Sequence, residues 1–189
     1  MTQQNDSQVP GIFDEILQML KSVEGNIKNQ TCTATAQRPP CPPGYNQYLH
    51  HCFKLFETRI TFMEAAAACA RARVPGGGTL AMPQDRGTNG FLVSLINAKD
   101  RYSSGDYWFG LHDRNEEGKW EWMDGKALNS GISMWGMDQP NDIRGGEDCA
   151  SYGWKNLWYD TGCSRKNRFI CQVLSSGLLL PSPEGSVLS

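Results

Sequence analysis

The chain has no apolar run that approaches the roughly 18 residues needed to cross a bilayer; the longest near its C-terminus is Leu178-Leu179-Leu180. It has no excess of positive charge. Lys and Arg number 18 against 20 Asp and Glu, for a net charge of −2, and no basic stripe or run breaks this balance, which excludes a nucleic-acid footprint. Histidine is scarce. His50, His51 and His112 form no metal motif and no triad, and no nucleophile, base and orienting group stand at recognisable spacing, so the chain is not read as an enzyme. A Cys-x-x-Cys pair is missing, which removes the usual zinc and redox signatures. The start, Met1-Thr2-Gln3-Gln4-Asn5-Asp6, lacks the basic and apolar regions of a signal peptide.

What is present is an ordinary globular composition, 39% apolar and 20% charged over 189 residues, enough for one well-buried domain with appendages. Seven cysteines, Cys32, Cys41, Cys52, Cys69, Cys149, Cys163 and Cys171, lie scattered along it. Scattered cysteines form a disulfide framework in an oxidising compartment. The sequons at Asn5 and Asn29 suit the same compartment and are glycosylation candidates. The expectation is therefore a secreted, extracellular protein whose leader is missing from this sequence. Three pairs leave one cysteine over, which suggests an intermolecular bond or a free thiol.

Taken in order, residues 1–10 are polar and are expected to be disordered. Residues 11–32 predict an amphipathic neck helix. Its apolar positions, Phe13, Ile16, Leu20, Val23 and Ile27, are spaced three, four, three, four, with Asp14 and Glu15 in the first turn and Lys28 near the last. A seam this short needs a partner surface, either the chain's own domain or a second copy. Cys32, directly after the helix, favours the second copy: an interchain disulfide would offset weak association. Homo-oligomerisation through residues 13–32 is thus expected.

Residues 33–40 are a Pro-rich linker, and the prolines continue to Pro43. Residues 44–56 predict two short strands. Adjacent strand residues face opposite ways, so His50 and His51 are read as hairpin residues rather than a metal site. Thr61 and Glu64 form a capping box that opens an alanine-rich helix, Ala65 to Ala72. A turn-rich connection over Val74 to Leu80 leads to a second helix, Thr88 to Lys99, with Phe91, Leu92, Leu95 and Ile96 on one face. Short aromatic strands follow at 107–111, 120–123, 150–152, 157–159 and 168–173, and Trp108, Trp120, Trp122 and Trp158 are expected in the core. Helices before strands make the class α+β. Residues 174–189 are expected to be a disordered tail.

Between the second and third of those segments lies an oxygen-rich loop, Gln139-Pro140-Asn141-Asp142-Ile143-Arg144-Gly145-Gly146-Glu147-Asp148-Cys149. Its amides and carboxylates suit Ca²⁺, which takes six to eight oxygen ligands, better than Zn²⁺, which prefers nitrogen and sulfur. An arbitrary Asn/Asp/Gly cluster is more often just a polar turn.

Several features decide between the two. Trp108-Phe109-Gly110-Leu111, Gln139-Pro140-Asn141, Glu147-Asp148-Cys149, Trp158-Tyr159-Asp160 and the cysteines Cys149, Cys163 and Cys171 occur in the order and spacing of a C-type lectin-like domain. Residues 41–173 resemble that family, in its long form with three disulfides. The resemblance implies a C-type lectin-like fold, with two helices packed on short antiparallel sheets and a long loop region that binds calcium. It implies the pairs Cys41 with Cys52, Cys69 with Cys171, and Cys149 with Cys163, leaving Cys32 outside.

It also implies two kinds of ion site. The sugar-binding Ca²⁺ of the family maps onto Gln139, Asn141, Glu147, Tyr159 and Asp160, and an auxiliary Ca²⁺ onto Asp113, Glu117, Asp142, Asp148 and the shared Glu147. Tyr159 departs from the asparagine usual at its position, and a neutral phenol is a poor calcium ligand. Its ring would either lie against a sugar or pack. Family members with a carboxylate first and an amide third in the motif favour mannose-type glycans, and those with the reverse order favour galactose-type ones. Gln139 and Asn141 are both amides, so the carbohydrate partner stays open between mannose-type and galactose-type glycans. The implied function is calcium-dependent carbohydrate binding, multivalent and used in glycan or microbe recognition in innate immunity. The alternative is a domain of the same shape that binds a protein partner, with calcium structural or absent.

Overall fold

The computed structural model describes residues 15–21, 41–72, 74, 76–99 and 106–175. The chain divides into two units, Met1–Arg38 and Pro39–Ser189. In the first, α1 (15–21) is helical, and its apolar residues Ile16, Leu17, Met19 and Leu20 are exposed. The remaining expectations for this end, Phe13, Val23, Ile27, Cys32, the sequons Asn5 and Asn29, the linker 33–40 and the terminus 1–10, lie outside the described residues, as does the tail beyond Ser175. No helix among the described residues is long and apolar enough to cross a membrane.

The second unit is built on a sheet in the order β1-β2-β8-β4-β6-β7, with β3 added to β8 and β5 to β4. The expected hairpin is β1 (Asn46–Tyr48) with β2 (His51–Ile60), and it is stapled by Cys41–Cys52. Central strands β4 (Tyr107–His112) and β8 (Asn167–Leu174) run parallel to each other, and the other pairings are antiparallel. The sheet is mixed, therefore, where antiparallel pairing alone was expected. Both central strands are covered on two faces, so their sequences read as nearly continuous apolar runs.

The period-two alternation of those strands sorts the core into two clusters. Tyr107, Phe109, Leu111 and Ile170 face one way and pack with Leu92 and Ile96 of α3 (Arg86–Lys99), together with Trp122, Tyr152 and Trp158. Trp108, Phe169 and Cys171 face the other way and pack with Phe62, Ala65 and Cys69 of α2 (Phe62–Ala70). Trp108, Trp122 and Trp158 are buried as expected, whereas Trp120 is half-buried and meets Trp135 edge-on.

Local signals account for the helix starts. Thr61 and Glu64 make the capping box, and α2 begins directly after Thr61 rather than at Ala65. The start of α3 falls at Arg86, ahead of the expected Thr88, because Asp85 accepts from the Thr88 amide (2.8 Å) and hydroxyl (2.5 Å). Burial pushes the Asp85 carboxyl up, but these two hydrogen bonds outweigh it and hold it below the ordinary carboxylate value. One element was missed. Within the connection expected over 74–80, Gly78–Leu80 forms β3 and pairs with Cys171–Val173 of β8.

The three disulfides implied by the resemblance are all formed: Cys41–Cys52, Cys69–Cys171 and Cys149–Cys163. Cys69–Cys171 ties α2 to the middle of the sheet, and Cys149–Cys163 ties the start of β6 (Cys149–Tyr152) to the turn after β7 (Trp158–Thr161). These last two strands hold the oxygen-rich loop in place.

Candidate functional site

The loop Gln139–Cys149 feeds into β6, whose partner β7 carries Asp160 opposite Ala150. From there the Asp160 carboxylate organises the loop: Oδ2 accepts from the backbone amides of Asn141 (2.7 Å) and Asp142 (2.6 Å). In return the Asp160 amide donates to Gln139 Oε1 at 3.3 Å. The Gln139–Pro140 peptide between them is cis. Asp142 Oδ1 accepts from the amides of Gly146 (2.6 Å) and Glu147 (3.1 Å), and Glu147 Oε2 accepts from Ile143 at 3.2 Å. A polar turn would need such bonds too, but it would use up its oxygens. Here Asp160, only 4% exposed, keeps Oδ1 buried without a hydrogen-bond partner among the described residues.

All the expected ligands except Asp148 fall into two pockets that share Asp160. Gln139, Glu147, Tyr159 and Asp160 line one of about 230 Å³, and Asn141, Asp142, Asp113, Glu117 and Asp160 line the other. Asn141 thus sits in the lining of the second pocket rather than with Gln139. In the second group, carboxylate oxygens of Glu117, Asp142 and Asp148 lie within 4.8 Å of one another. Asp113, at the end of β4, is 4% exposed; its Oδ2 accepts from the Gly118 amide at 3.0 Å, and its Oδ1 is buried without a partner among the described residues.

Burial raises the Asp113 carboxyl first, and the charges of Asp148 and Asp142 raise it further, against the lowering effect of the Gly118 amide. Glu117 is raised by desolvation and then by Asp113, Asp142 and Asp148. Crowded carboxylates with buried, unpaired oxygens are the arrangement a divalent cation relieves, since it favours the charged form of every group around it. An all-oxygen set of this kind fits Ca²⁺.

Tyr159 is half-buried and lines the first pocket. Its ring edge runs along two glycines: a Cβ on Gly153 would stand 2.7 Å from the ring and one on Gly136 2.9 Å, so only glycine leaves it room on either side.

The sequence reading overlooked part of the first pocket. Trp154 and Arg165 line it, and so does Ile143 from within the loop; Trp154 is 62% exposed and Ile143 59%. A signal for Trp154 existed. It stands in Gly153-Trp154-Lys155-Asn156, between β6 and β7, a polar turn in which a large aromatic has no core to enter.

The profile described as "Lectin C-type domain" matches residues 58–173. Among curated proteins, the chain is 31% identical over 139 residues to the Alpha-N-acetylgalactosamine-specific lectin of Patiria pectinifera, covering 71% of this chain and 81% of that one. It is 28% identical over 135 residues to the CD209 antigen of Symphalangus syndactylus, covering 71% of this chain but only 33% of the relative's length. Human lithostathine, a solved structure, is similar at 27% identity with a TM-score of 0.64, covering 73% of this chain and 93% of that one. The C-type lectin CEL-I from Cucumaria echinata shares the fold at a TM-score of 0.65 and 21% identity, over 71% of this chain and 98% of that one. With its three disulfides, mixed sheet and matching profile, the chain belongs to the C-type lectin domain family.

Proposed function

We propose that this protein is a secreted, calcium-dependent carbohydrate-binding lectin, made multivalent by its N-terminal segment. The observation that carries this reading is the Asp160 carboxylate: buried, bonded through one oxygen to the loop and, among the described residues, without a partner at the other, in the lining of both pockets. Gln139, Asn141, Glu147 and Asp160 hold the sugar-binding Ca²⁺. Asp113, Glu117, Asp142 and Asp148, with Glu147 shared, hold an auxiliary one. When bound, calcium offers its remaining coordination places to two neighbouring hydroxyls of a sugar. The amides of Gln139 and Asn141 donate to and accept from those hydroxyls, while Glu147 and Asp160 supply the negative charge that balances the ion.

Tyr159 contributes no ligand, and Gln139 is neutral, so calcium affinity is weak, on the order of 10⁻⁴ to 10⁻³ M, which extracellular calcium still populates. A carbohydrate ligand agrees with the name of the Patiria pectinifera relative, which is specific for alpha-N-acetylgalactosamine. Disulfides support an extracellular setting, where recognition of microbial or self glycans is the natural use.

The test is retention on immobilised mannose and galactose in calcium, followed by chelator. We expect retention that chelation releases, and loss of retention in Asp160→Ala with the domain still folded. Retention that survives chelation, or none on either resin and on a wider glycan array, sinks the proposal and leaves a protein partner as the ligand.

A further inference from the structure

β1 pairs with β2 only over His51–Phe53, so from Lys54 onward the outer edge of β2 has no strand beside it among the described residues. A cavity of about 420 Å³ opens there, against the last turn of α3, a size ordinary for small-molecule sites. Gly44, Lys54 and Leu55 line it from one side and Leu95, Ala98 and Lys99 from the other. It shares no residue with the two pockets around Asp160. Its charge is also of the opposite sign: two ammonium groups and no carboxylate line it, in a chain whose net charge is −2.

Lys54 is the more confined of the two cations, half-buried where Lys99 is exposed. Its Nζ stands 5.6 Å from the centre of the Tyr45 ring and 5.2 Å from that of Phe56. Gly44, at φ 81°, passes close by: a Cβ there would come 3.2 Å from Nζ and 3.5 Å from Cε. Two aromatic rings and a residue without a side chain thus hold the ammonium, and the rings stand in for part of the water it gives up. Among the described residues Lys54 has no carboxylate partner, whereas Lys119 and Lys126 each have one.

Beyond this cation the lining turns apolar, with Leu55 and Leu95 half-buried and Ala98 exposed. Asn46 supplies its one neutral polar side chain, too little for a sugar, whose many hydroxyls each need a partner. The final carbonyls of α3 carry partial negative charge, which disfavours an anion at that end and which Lys99 offsets. An anionic head therefore belongs beside Lys54, and an apolar body along Leu55, Leu95 and Ala98 with the methylene stem of Lys99. We propose that this cavity binds a medium-chain fatty acid, its carboxylate paired with Lys54 and its alkyl chain laid across Leu55, Leu95 and Ala98. The charged head on a partly desolvated ammonium gives the strong, directed contact, and the chain gives the buried area. The site needs no calcium and is independent of the sugar-binding reading.

The experiment titrates decanoate into the full chain by calorimetry, below its micelle-forming concentration and in chelator, so that calcium soaps take no part. We expect a single site per chain, with decanol and acetate each weaker by about tenfold or more, since one lacks the charge and the other the chain. Lys54→Gln lowers decanoate affinity by about tenfold, and Lys54→Arg keeps most of it because the cation remains. Ala98→Glu, at an exposed helix position, puts a carboxylate into the cavity and lowers affinity as much, with an unchanged circular dichroism spectrum. Decanol binding as tightly as decanoate would reduce the cavity to an apolar patch and overturn the inference, as would full affinity in Lys54→Gln. So would failure of decanoate to bind: an acidic Glu-Leu-Glu-Leu-Glu peptide bound in its place through Lys54 would give the cavity to a protein partner, and self-association abolished by Ala98→Glu would give it to a second copy.

Discussion

At residue 159 the chain carries tyrosine where its family usually has a ligating asparagine, and the surroundings have been built to take it. Gly136 and Gly153 leave the ring the space that a Cβ would occupy. A methyl group on Gly153 would overlap ring carbons, not the end of a flexible side chain, so Gly153→Ala should lower stability by about 1 to 3 kcal/mol. In Tyr159→Asn the obstacle is gone, and Gly153→Ala added to it should cost far less. Urea denaturation of both single variants and the double one measures the coupling; simple additivity would show that the ring is not what demands glycine there. None of this was visible in the sequence. Tyr159 was left open between stacking and packing because Gly153 reaches the ring only through the pairing of β6 with β7, and Gly136 only through its amide bond to the Trp158 carbonyl.

Among elements, α3 has most to do with holding the site strands. Asn89, on its inner face and 8% exposed, accepts through Oδ1 from the Tyr152 hydroxyl (2.8 Å) and from Trp158 Nε1 (3.0 Å). Tyr152 is in β6 and Trp158 in β7, so a single amide fastens the helix to both strands that carry the site. Burial raises the Tyr152 phenol far above its ordinary value, which keeps it a donor at any physiological pH. Asn89→Ala leaves two buried donors without an acceptor and should cost about 2 to 4 kcal/mol in urea denaturation, more than Asp85→Ala, which removes only a cap worth about 1 kcal/mol. Equal losses would contradict the shared-acceptor role. The apolar face of α3 was legible from Leu92 and Ile96, and the strands from their aromatic runs. Asn89 was not, because a polar residue on a helix gives no sign of burial until its partners are known. The strand β3 was hidden for a related reason: Gly76, Gly77 and Gly78 read as a turn, and only the part of β8 beyond its pairing with β4 makes a strand of Gly78–Leu80.

For the whole molecule, the open question is valency. A weak single site becomes useful when copies are linked, because the second contact is then made at a high effective concentration. The exposed Ile16 and Leu20 of α1 fit the seam expected for a neck, and Cys32 follows it in sequence. Non-reducing electrophoresis should therefore show a covalent dimer in the wild type and its loss in Cys32→Ser; a monomer in both would remove the covalent neck from the proposal. Cysteine pairing within the domain was legible only through the family resemblance, since spacing leaves many pairings open, and it leaves Cys32 unassigned.

The second and last strands of the domain also determine how it would respond to load. His51 at the start of β2 pairs with Leu174 at the end of β8, and the Ser175 amide donates to the His50 carbonyl at 3.0 Å, so the two ends of the domain lie side by side. A pull that separates them opens this ladder like a zipper, from His51 with Leu174 through Cys52 with Val173 and Phe53 with Gln172. The next pair is Lys54 with Cys171, and Cys171 is bonded to Cys69 in α2. That bridge carries the load directly from Cys69 to Cys171, so β4, β6, β7 and the loop Gln139–Cys149, all between them in sequence, would stay outside the tensioned path.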